Sequence, residues 1–493
     1  MFDPFGPVTR RRTLRAAAAG AGAVVLAACG HSPSGSSASA AGNGALPVPQ
    51  SGVIQLTFQA NTQGNVSWNK TTQAVFQEFV DKNFNLNPKY KGLWATAFPW
   101  GGGAAQITDD IAGKGFNDIW HFCCGDVPAA IHSGFAQPLD SLLRTDNIPV
   151  SLWSKGHILA DSMAGKLFGL PSYDGTMVLI YRQDILDKLG LSYPDPNWDS
   201  KAALRLWQQC TGKNSAGKPR TGVNVYYGQE DLDWWLAGWG ASEMNAAQDQ
   251  ATMATPAGSA CFGYLQEMFT SGVTRPESRG VKNLINENTV FQMAHSAYVI
   301  NSAVELGNTV KWDFLPLPNW PAGRSCMETI DCYLLNAATK DLNAAWELLK
   351  WLTLGAPNGD GTYDNAWPKF QILINLITPS LVSLWDYWQT TVQSVAPPLK
   401  SKALNWWADG AIKGYARPQL FYVYNYSQAA TIEGNWMTQI QQGKVSATLG
   451  LQQMQDQVNA SESAGKLQAQ VGPAAAKNFP TNGPTMAAVT PGL

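Results

Sequence analysis

The segment Ala164-Gly-Lys-Leu-Phe-Gly-Leu-Pro-Ser-Tyr-Asp-Gly-Thr-Met-Val-Leu-Ile-Tyr-Arg-Gln-Asp-Ile-Leu-Asp-Lys-Leu-Gly-Leu-Ser-Tyr-Pro-Asp-Pro-Asn-Trp-Asp199 changes the character of the chain. Gly169-Leu170-Pro171 punctuates what precedes it, because Gly and Pro interrupt regular elements. Thr176–Tyr181 then reads as a fresh apolar strand. Asp184–Leu189 reads as a helix that Gly190 closes in the left-handed conformation. A strand entered through a breaker and left through a short helix marks the passage into a second lobe.

Upstream, residues 53–60 alternate apolar and polar side chains and predict a first strand. A polar loop, Asn61 to Asn69, leads to a helix over Thr71–Asn83 with Val75, Phe76, Phe79 and Val80 on one face. Leu93–Phe98 is a second strand and Ile119–Phe122 a third. This βαβ rhythm predicts an α/β lobe with a largely parallel sheet. Ligands of such sheets sit beyond the carboxyl ends of the strands, which points to loops 61–69, 99–106 and 122–127.

Downstream, residues 213–222 read as a surface loop. Asp341 can cap a helix carrying Leu342, Trp346, Leu349 and Leu352. Ser427 can cap another with Ile432, Trp436 and Ile440, stopped by Gly443. Ser446 opens a third, with Leu451, Met454 and Val458, and the last twenty residues read as a tail.

At the other end, Arg10-Arg11-Arg12 and Arg15 precede an apolar run, Ala16–Ala28, that closes in Leu26-Ala27-Ala28-Cys29. Basic, apolar and small residues in that order are the layout of a secretory signal. Roughly 13 apolar residues fall short of the ~20 that span a bilayer. The ending resembles a bacterial lipobox, in which Cys29 is lipidated, and Thr9–Leu14 resembles a twin-arginine export address; a basic region for general secretion is the alternative. Residues 1–28 are therefore read as the signal and 29–50 as a flexible tether rich in Ser, Ala and Gly.

The remaining length, roughly 440 residues, exceeds what one compact core serves, so two lobes are expected. The chain has 34 Lys+Arg and 36 Asp+Glu; the signal removes four Arg and one Asp, leaving 30 against 35. A mildly acidic surface excludes the basic footprint that nucleic acid requires. Charged residues are only 14% of the chain while tryptophans number 20, a balance that favours a neutral, partly apolar ligand. Most of those rings must still be core or lobe-interface residues.

Six cysteines follow Cys29: Cys123, Cys124, Cys210, Cys261, Cys326 and Cys332. An exported protein can form disulfides, and the 15 possible pairings stay open, with Cys326 and Cys332 near enough in sequence to staple a loop. His121-Phe122-Cys123-Cys124 invites a metal reading. Adjacent strand residues point to opposite faces, however, and no second CxxC lies near. No cofactor is expected.

The 164–199 segment resembles the extracellular solute-binding proteins of ABC importers, carbohydrate type, the maltose-binding-protein-like family. That family carries a Gly-Leu-Pro turn, a hinge strand, a Gly-Leu helix end and Pro-x-Thr-Trp-Asp in this order. Phe116–Phe122 with Gly134–Asp140, Phe291–Tyr298, Phe314–Pro318 with Lys340–Thr353, and Gln442–Ser446 resemble further family stretches in sequence order. Two departures stand out. Arg182 replaces a usual Asn, and Met327-Glu328-Thr329 replaces a frequent Gly-Gly.

The resemblance implies an α/β, two-lobed periplasmic-binding-protein fold (type II, Venus flytrap) with hinge crossovers near 171–176 and 311–318 and additional C-terminal helices. Residues 53–172 and 314–355 would form the N-terminal lobe, 173–313 and 356–465 the C-terminal lobe, and 466–493 a tail.

A sugar site needs carboxylates, amides or Arg for hydroxyl rims and rings for C–H faces. The resemblance places Tyr298 at a stacking position and Phe122 and Asp126 in the strand-three loop. Tyr173 and Asp174 lie at the hinge mouth. Asp233 with Trp234 or Trp235 flanks a family contact position, one of the rings being core. Asn61, Gln63 and Trp68 occupy the first loop; Glu328, Trp406, Trp407, Tyr422 and Tyr424 complete the candidates.

The implied molecule is a monomeric, lipid-anchored receptor outside the cytoplasm that hands a neutral saccharide to ABC permease subunits. A polyamine, peptide or metal-chelate receptor, an exported hydrolase, and a receptor feeding a sensor are the alternatives; the chain has no Gly-x-Ser-x-Gly or His-Glu-x-x-His.

Overall fold

The computed structural model describes residues 54–60, 93–99, 118–123, 127–132, 134–275, 282–295, 310–375, 378–395, 415–418, 420 and 422–471. Ten strands organise the architecture: β1 (Ile54–Ala60), β2 (Leu93–Pro99), β3 (Ile119–Cys123), β4 (Gly169–Arg182), β5 (Pro219–Asn224), β6 (Thr289–His295), β7 (Trp312–Leu315), β8 (Cys326–Leu335), β9 (Thr378–Pro379) and β10 (Ala416–Pro418). The helices used below are α1 (Lys155–Ala160), α2 (Gln183–Leu189), α3 (Ser200–Cys210), α4 (Leu232–Trp239), α5 (Pro256–Thr270), α6 (Leu342–Leu354), α7 (Ala366–Asn375), α8 (Trp385–Val395), α9 (Tyr426–Gln441) and α10 (Ala447–Val471).

The sheet runs β2-β1-β3-β8-β4-β6-β5, with β7 and β9 added on β4 and β10 on β8. β1 is parallel to both β2 and β3, as the βαβ rhythm predicts. β4 connects the halves. Its residues Gly169–Thr176 pair antiparallel with β8, and Met177–Arg182 pair antiparallel with β6 and β7. One strand of 14 residues therefore belongs to both lobes. The segment Thr176–Tyr181 is its second half, and Gly190 closes α2 in the left-handed region at φ 68°.

Three apolar clusters pack on the sheet, and alternate residues of β4 enter the two larger ones, Val178 and Ile180 the first and Met177, Leu179 and Tyr181 the second. Leu56, Ile119, Leu170 and Trp153 of the first lobe share a core with Trp346, Trp351, Trp367 and Trp388. Leu179, Ile185, Trp207, Trp234, Trp235, Phe262, Met437 and Leu451 form the second. Much of the tryptophan surplus is spent here: Trp120, Trp207, Trp234, Trp235, Trp351, Trp367 and Trp388 are each under 2% exposed.

Several expectations need correction. Phe314 and Leu315 pair with Ile180 and Leu179 on the second half of β4, and Phe314 is buried in the core of Trp346 while Leu315 lies in that of Trp207. α7 and α8 were expected in the C-terminal lobe. Their Trp367 and Trp388 share the first core with Leu56, Ile119 and Trp346, α7 packing on α6 and α8 on α7. α10 continues to Val471, past the tail boundary at 466, and Lys466 reaches Asp249 at 3.2 Å. α9 starts at Tyr426, so Ser427 lies inside it; the Ser427 carbonyl accepts from the Thr431 hydroxyl. Asp341 does cap α6, its carboxylate accepting from the Ala344 amide at 3.1 Å.

Cys326 and Cys332 are buried thiols outside any disulfide, as are Cys210 and Cys261. Both lie on the extended strand β8, where six residues at ~3.3 Å each separate them by about 20 Å. A disulfide needs Cα atoms within ~7 Å, so this staple is impossible. The helix expected over 71–83 lies outside the described residues. Among the described residues, no helix is long and apolar enough to cross a membrane.

Candidate functional site

The lobes meet where β8 and β4 lie side by side, and the backbone there carries several candidates. Tyr173 and Asp174 stand opposite Asp331 and Ile330 of β8 on one edge and opposite Pro379 and Thr378 of β9 on the other. Thr176 stands opposite Glu328. The backbones of Tyr173, Asp174 and Phe122 are thus placed on the strands of the junction. Their side chains lie outside the description.

Glu328 turns inward. It is 1% exposed, accepts a hydrogen bond from the Ser154 hydroxyl at 3.1 Å and lies 3.5 Å from His157 Nε2. Ser154 is the N-cap of α1, so this carboxylate ties the crossover strand to the first turn of a first-lobe helix. Gly156 makes the approach possible: a Cβ there would sit 1.8 Å from Glu328 Oε2. Burial lowers the His157 pKa, and the Glu328 carboxylate raises it part of the way back. Glu328 is a candidate for the ligand cleft, and the contacts described here set its carboxylate against Ser154 and His157 at α1.

Further buried polar groups line the same junction. His121 Nε2 lies 2.8 Å from Ser172 Oγ, and that hydroxyl donates to the Asp331 carbonyl at 2.7 Å. The His121 ring stacks on Tyr333 at 4.5 Å, and burial pushes its pKa down to about 3, so it is neutral. Asp161 is pushed up to about 8, chiefly by burial; a hydrogen bond with Cys332 lowers it and the Asp331 charge raises it. His121 and Cys332 are therefore engaged in a hydrogen-bonded junction.

On the second-lobe side, Trp234 and Trp235 stack with centroids 4.2 Å apart, and both are interior. The Trp235 indole donates to the Tyr226 carbonyl at 2.9 Å and the Trp234 indole to Asp231 at 3.2 Å. One ring was expected to line the cleft; the pair instead fills the core behind α4, where successive apolar residues leave no solvent face. Asp233, on the same helix, accepts from Arg417 Nε at 3.3 Å, and its side chain is 8% exposed against 37% for the arginine. Tyr422 is buried beside Glu433. The Glu433 carboxyl is raised to about 8, first by burial, and shares a hydrogen bond with Glu243, itself raised well above the usual range. Tyr424 donates its amide to Glu462 at 2.9 Å and carries Lys466 over its ring.

The structure therefore gathers Tyr173, Asp174 and Glu328 at the crossover strands and places Asp233 beside the same junction through Arg417. Tyr422 sits deeper, in the second core. Asn61, Gln63, Trp68, Asp126, Tyr298, Trp406 and Trp407 lie outside the described residues. Sequence reasoning missed Arg417, Ser154, Gly156 and His157. Arg417 stands in a stretch that diverges from the family pattern. Ser154 preceding a short helix was a readable cap signal, but its partner Glu328 is distant in sequence. Arg182 was noted as a departure, and its role is now visible: 2% exposed, it clamps both Asp184 oxygens at 2.8 Å and donates to the Leu284 carbonyl at 2.6 Å.

The fold agrees with what known proteins show. The family model described as bacterial extracellular solute-binding protein matches residues 67–356. A binding protein of Brucella abortus (strain 2308) is 22% identical over 293 residues, 57% of this chain and 69% of that protein. Among solved structures, the ABC substrate-binding protein Lmo0181 from Listeria monocytogenes, in complex with cycloalternan, superposes with a TM-score of 0.66 at 14% identity, covering 83% of this chain and 99% of its own. The cyclic alpha-maltosyl-1,6-maltose binding protein from Arthrobacter globiformis gives 0.65 at 15% identity, with 84% and 100% covered. The sugar-binding protein MalE from Xanthomonas citri gives 0.64 at 15%, with 85% and 100% covered. With a matching model over more than half its length and a strand shared between two lobes, this chain belongs to the bacterial extracellular solute-binding proteins and has the two-lobed, maltose-binding-protein-like fold.

Proposed function

We propose that this chain is a lipid-anchored receptor outside the cytoplasm that captures a neutral mono- or oligosaccharide and delivers it, chemically unchanged, to an ABC permease. The observation that carries the reading is β4, a single strand paired into both lobes, which makes the junction a natural pivot. A ligand that touches both lobes binds the closed arrangement better than the open one and shifts the population toward it. Two features support the sugar assignment: the low charge and the saccharides named for the Listeria and Arthrobacter proteins. Cys29 at the end of the lipobox-like segment would supply the anchor, and the 29–50 segment the tether.

Tyr298, Asp174, Asp126, Phe122, Tyr173, Asp233 and the first-loop residues Asn61, Gln63 and Trp68 are the proposed contacts. The test is a thermal-shift screen of the mature protein against neutral saccharides, charged sugars, amino acids and polyamines. A saccharide at 100 times its Kd stabilises by about 2.7 kcal/mol. Tyr298→Ala is expected to abolish that shift. A shift with polyamine or amino acid alone would overturn the sugar reading, and recovery of a cleaved glycan would make the protein a hydrolase instead.

A further inference from the structure

We propose that Arg417, held by Asp233, contacts the ligand directly and selects an uncharged polyol over an anionic one. The inference rests on the saccharide-receptor reading and adds a residue and a charge rule to it. β10 lies parallel on β8, with Arg417 opposite Met327 and Pro418 opposite Glu328. Both α1 of the first lobe and α4 of the second pack on β10, so Arg417 stands where the two lobes meet the crossover. Ala416 and Pro418 are buried, and alternation along a strand turns the residue between them to the other side.

The arginine is anchored at one end only. Its Nε donates to Asp233 Oδ2 at 3.3 Å, and among the described residues its two terminal nitrogens have no partner. A guanidinium offers five donors in a rigid fork, so fixing Nε aims the remaining pair outward. Two parallel N–H groups fit adjacent hydroxyl oxygens on a sugar ring. The buried Asp233 carboxylate cancels the arginine's charge, so the pair presents donors without a net attraction for anions. An arginine kept only for stability gains little from an ion pair that leaves its outer end in water.

The experiment measures binding of maltotriose, cycloalternan, tagatose, galacturonate and spermidine by calorimetry to the wild type, Arg417→Lys, Arg417→Gln and Asp233→Asn, together with each ligand-free melting temperature. A neutral saccharide is expected to bind the wild type. Arg417→Lys keeps the charge and loses the fork, and is expected to weaken binding about tenfold or more with the ligand-free melting temperature unchanged. Asp233→Asn is expected to raise galacturonate affinity relative to the neutral sugar. Neutral-sugar affinity within twofold of wild type in both Arg417 variants overturns the contact while leaving a sugar receptor. Wild-type preference for galacturonate overturns the charge rule. Binding of spermidine alone, or of no probe, overturns the saccharide reading and this inference with it.

Discussion

Adding one methyl group at position 156 tests the junction most sharply. Gly156 lies in the first turn of α1, and an ideal Cβ there comes within 1.8 Å of Glu328 Oε2 and 2.7 Å of its carboxyl carbon. Helix propensity alone makes Gly156→Ala stabilising, by roughly 0.5–1 kcal/mol. Against this stand overpacking, typically about 1–3 kcal/mol, and loss of the Ser154 hydrogen bond to a buried carboxylate, roughly 1.5–3 kcal/mol. The carboxylate is 1% exposed and has no solvent to retreat into, so the unfavourable contributions win by about 2–4 kcal/mol. If the first lobe unfolds as a unit of 150–250 residues, its melting temperature falls by about 5–15 °C, read by calorimetry. Glu328→Ala makes room for the methyl, so the double variant is expected to be less destabilised than the sum of the two single changes. A Gly156→Ala protein that melts at or above the wild-type temperature, or strictly additive effects in the double variant, would refute the packing described here.

Other outcomes follow from the buried titratable groups and thiols. Glu433 and Asp161 are both raised to about 8 in the folded protein, so the stability they confer is complete below their ordinary range and lost as pH rises toward 8. Between pH 5 and 8 the urea midpoint is expected to fall, and Glu433→Gln, which cannot ionise, should fall less; identical slopes would exclude a buried proton at this site. His121 acts in the opposite sense: its depressed pKa means that stability is lost as pH drops from about 6.5 toward 3. A reducing agent should leave the melting temperature contributed by β8 unchanged, and mass spectrometry after alkylation under denaturation should find Cys210, Cys261, Cys326 and Cys332 modified. A tryptic peptide pair linked through Cys326 and Cys332 would contradict the extended strand.

The local elements were readable because their signals are local. The apolar run at Thr176–Tyr181, the Gly190 stop and the Asp341 cap each depend on a few neighbouring residues, and each stands as read. What failed depends on partners distant in sequence. Trp234 and Trp235 have the composition of a sugar platform. Whether a ring faces a crevice or Trp320, 4.9 Å from Trp235, is decided by a segment some 85 residues away. Cys326 and Cys332 look like a staple until the strand between them is seen to be extended. Nothing in the neighbourhood of Glu328 announces its contact with Ser154, 174 residues earlier. The assignment of α7 and α8 to a lobe turned on the burial of Trp367 and Trp388, which composition alone does not orient. Arg182 shows the middle case: the departure was visible, its clamp on Asp184 was two residues away, and only the Leu284 contact needed the fold.

The central claim is that the two lobes close on an uncharged sugar and release it intact. Small-angle scattering of the mature protein, with and without a neutral saccharide that binds it, addresses this directly when the saccharide is then recovered and analysed. The account predicts a smaller radius of gyration in the bound state and a saccharide identical to the one added. An unchanged radius at saturation, or a shortened saccharide in the recovered fraction, would contradict it.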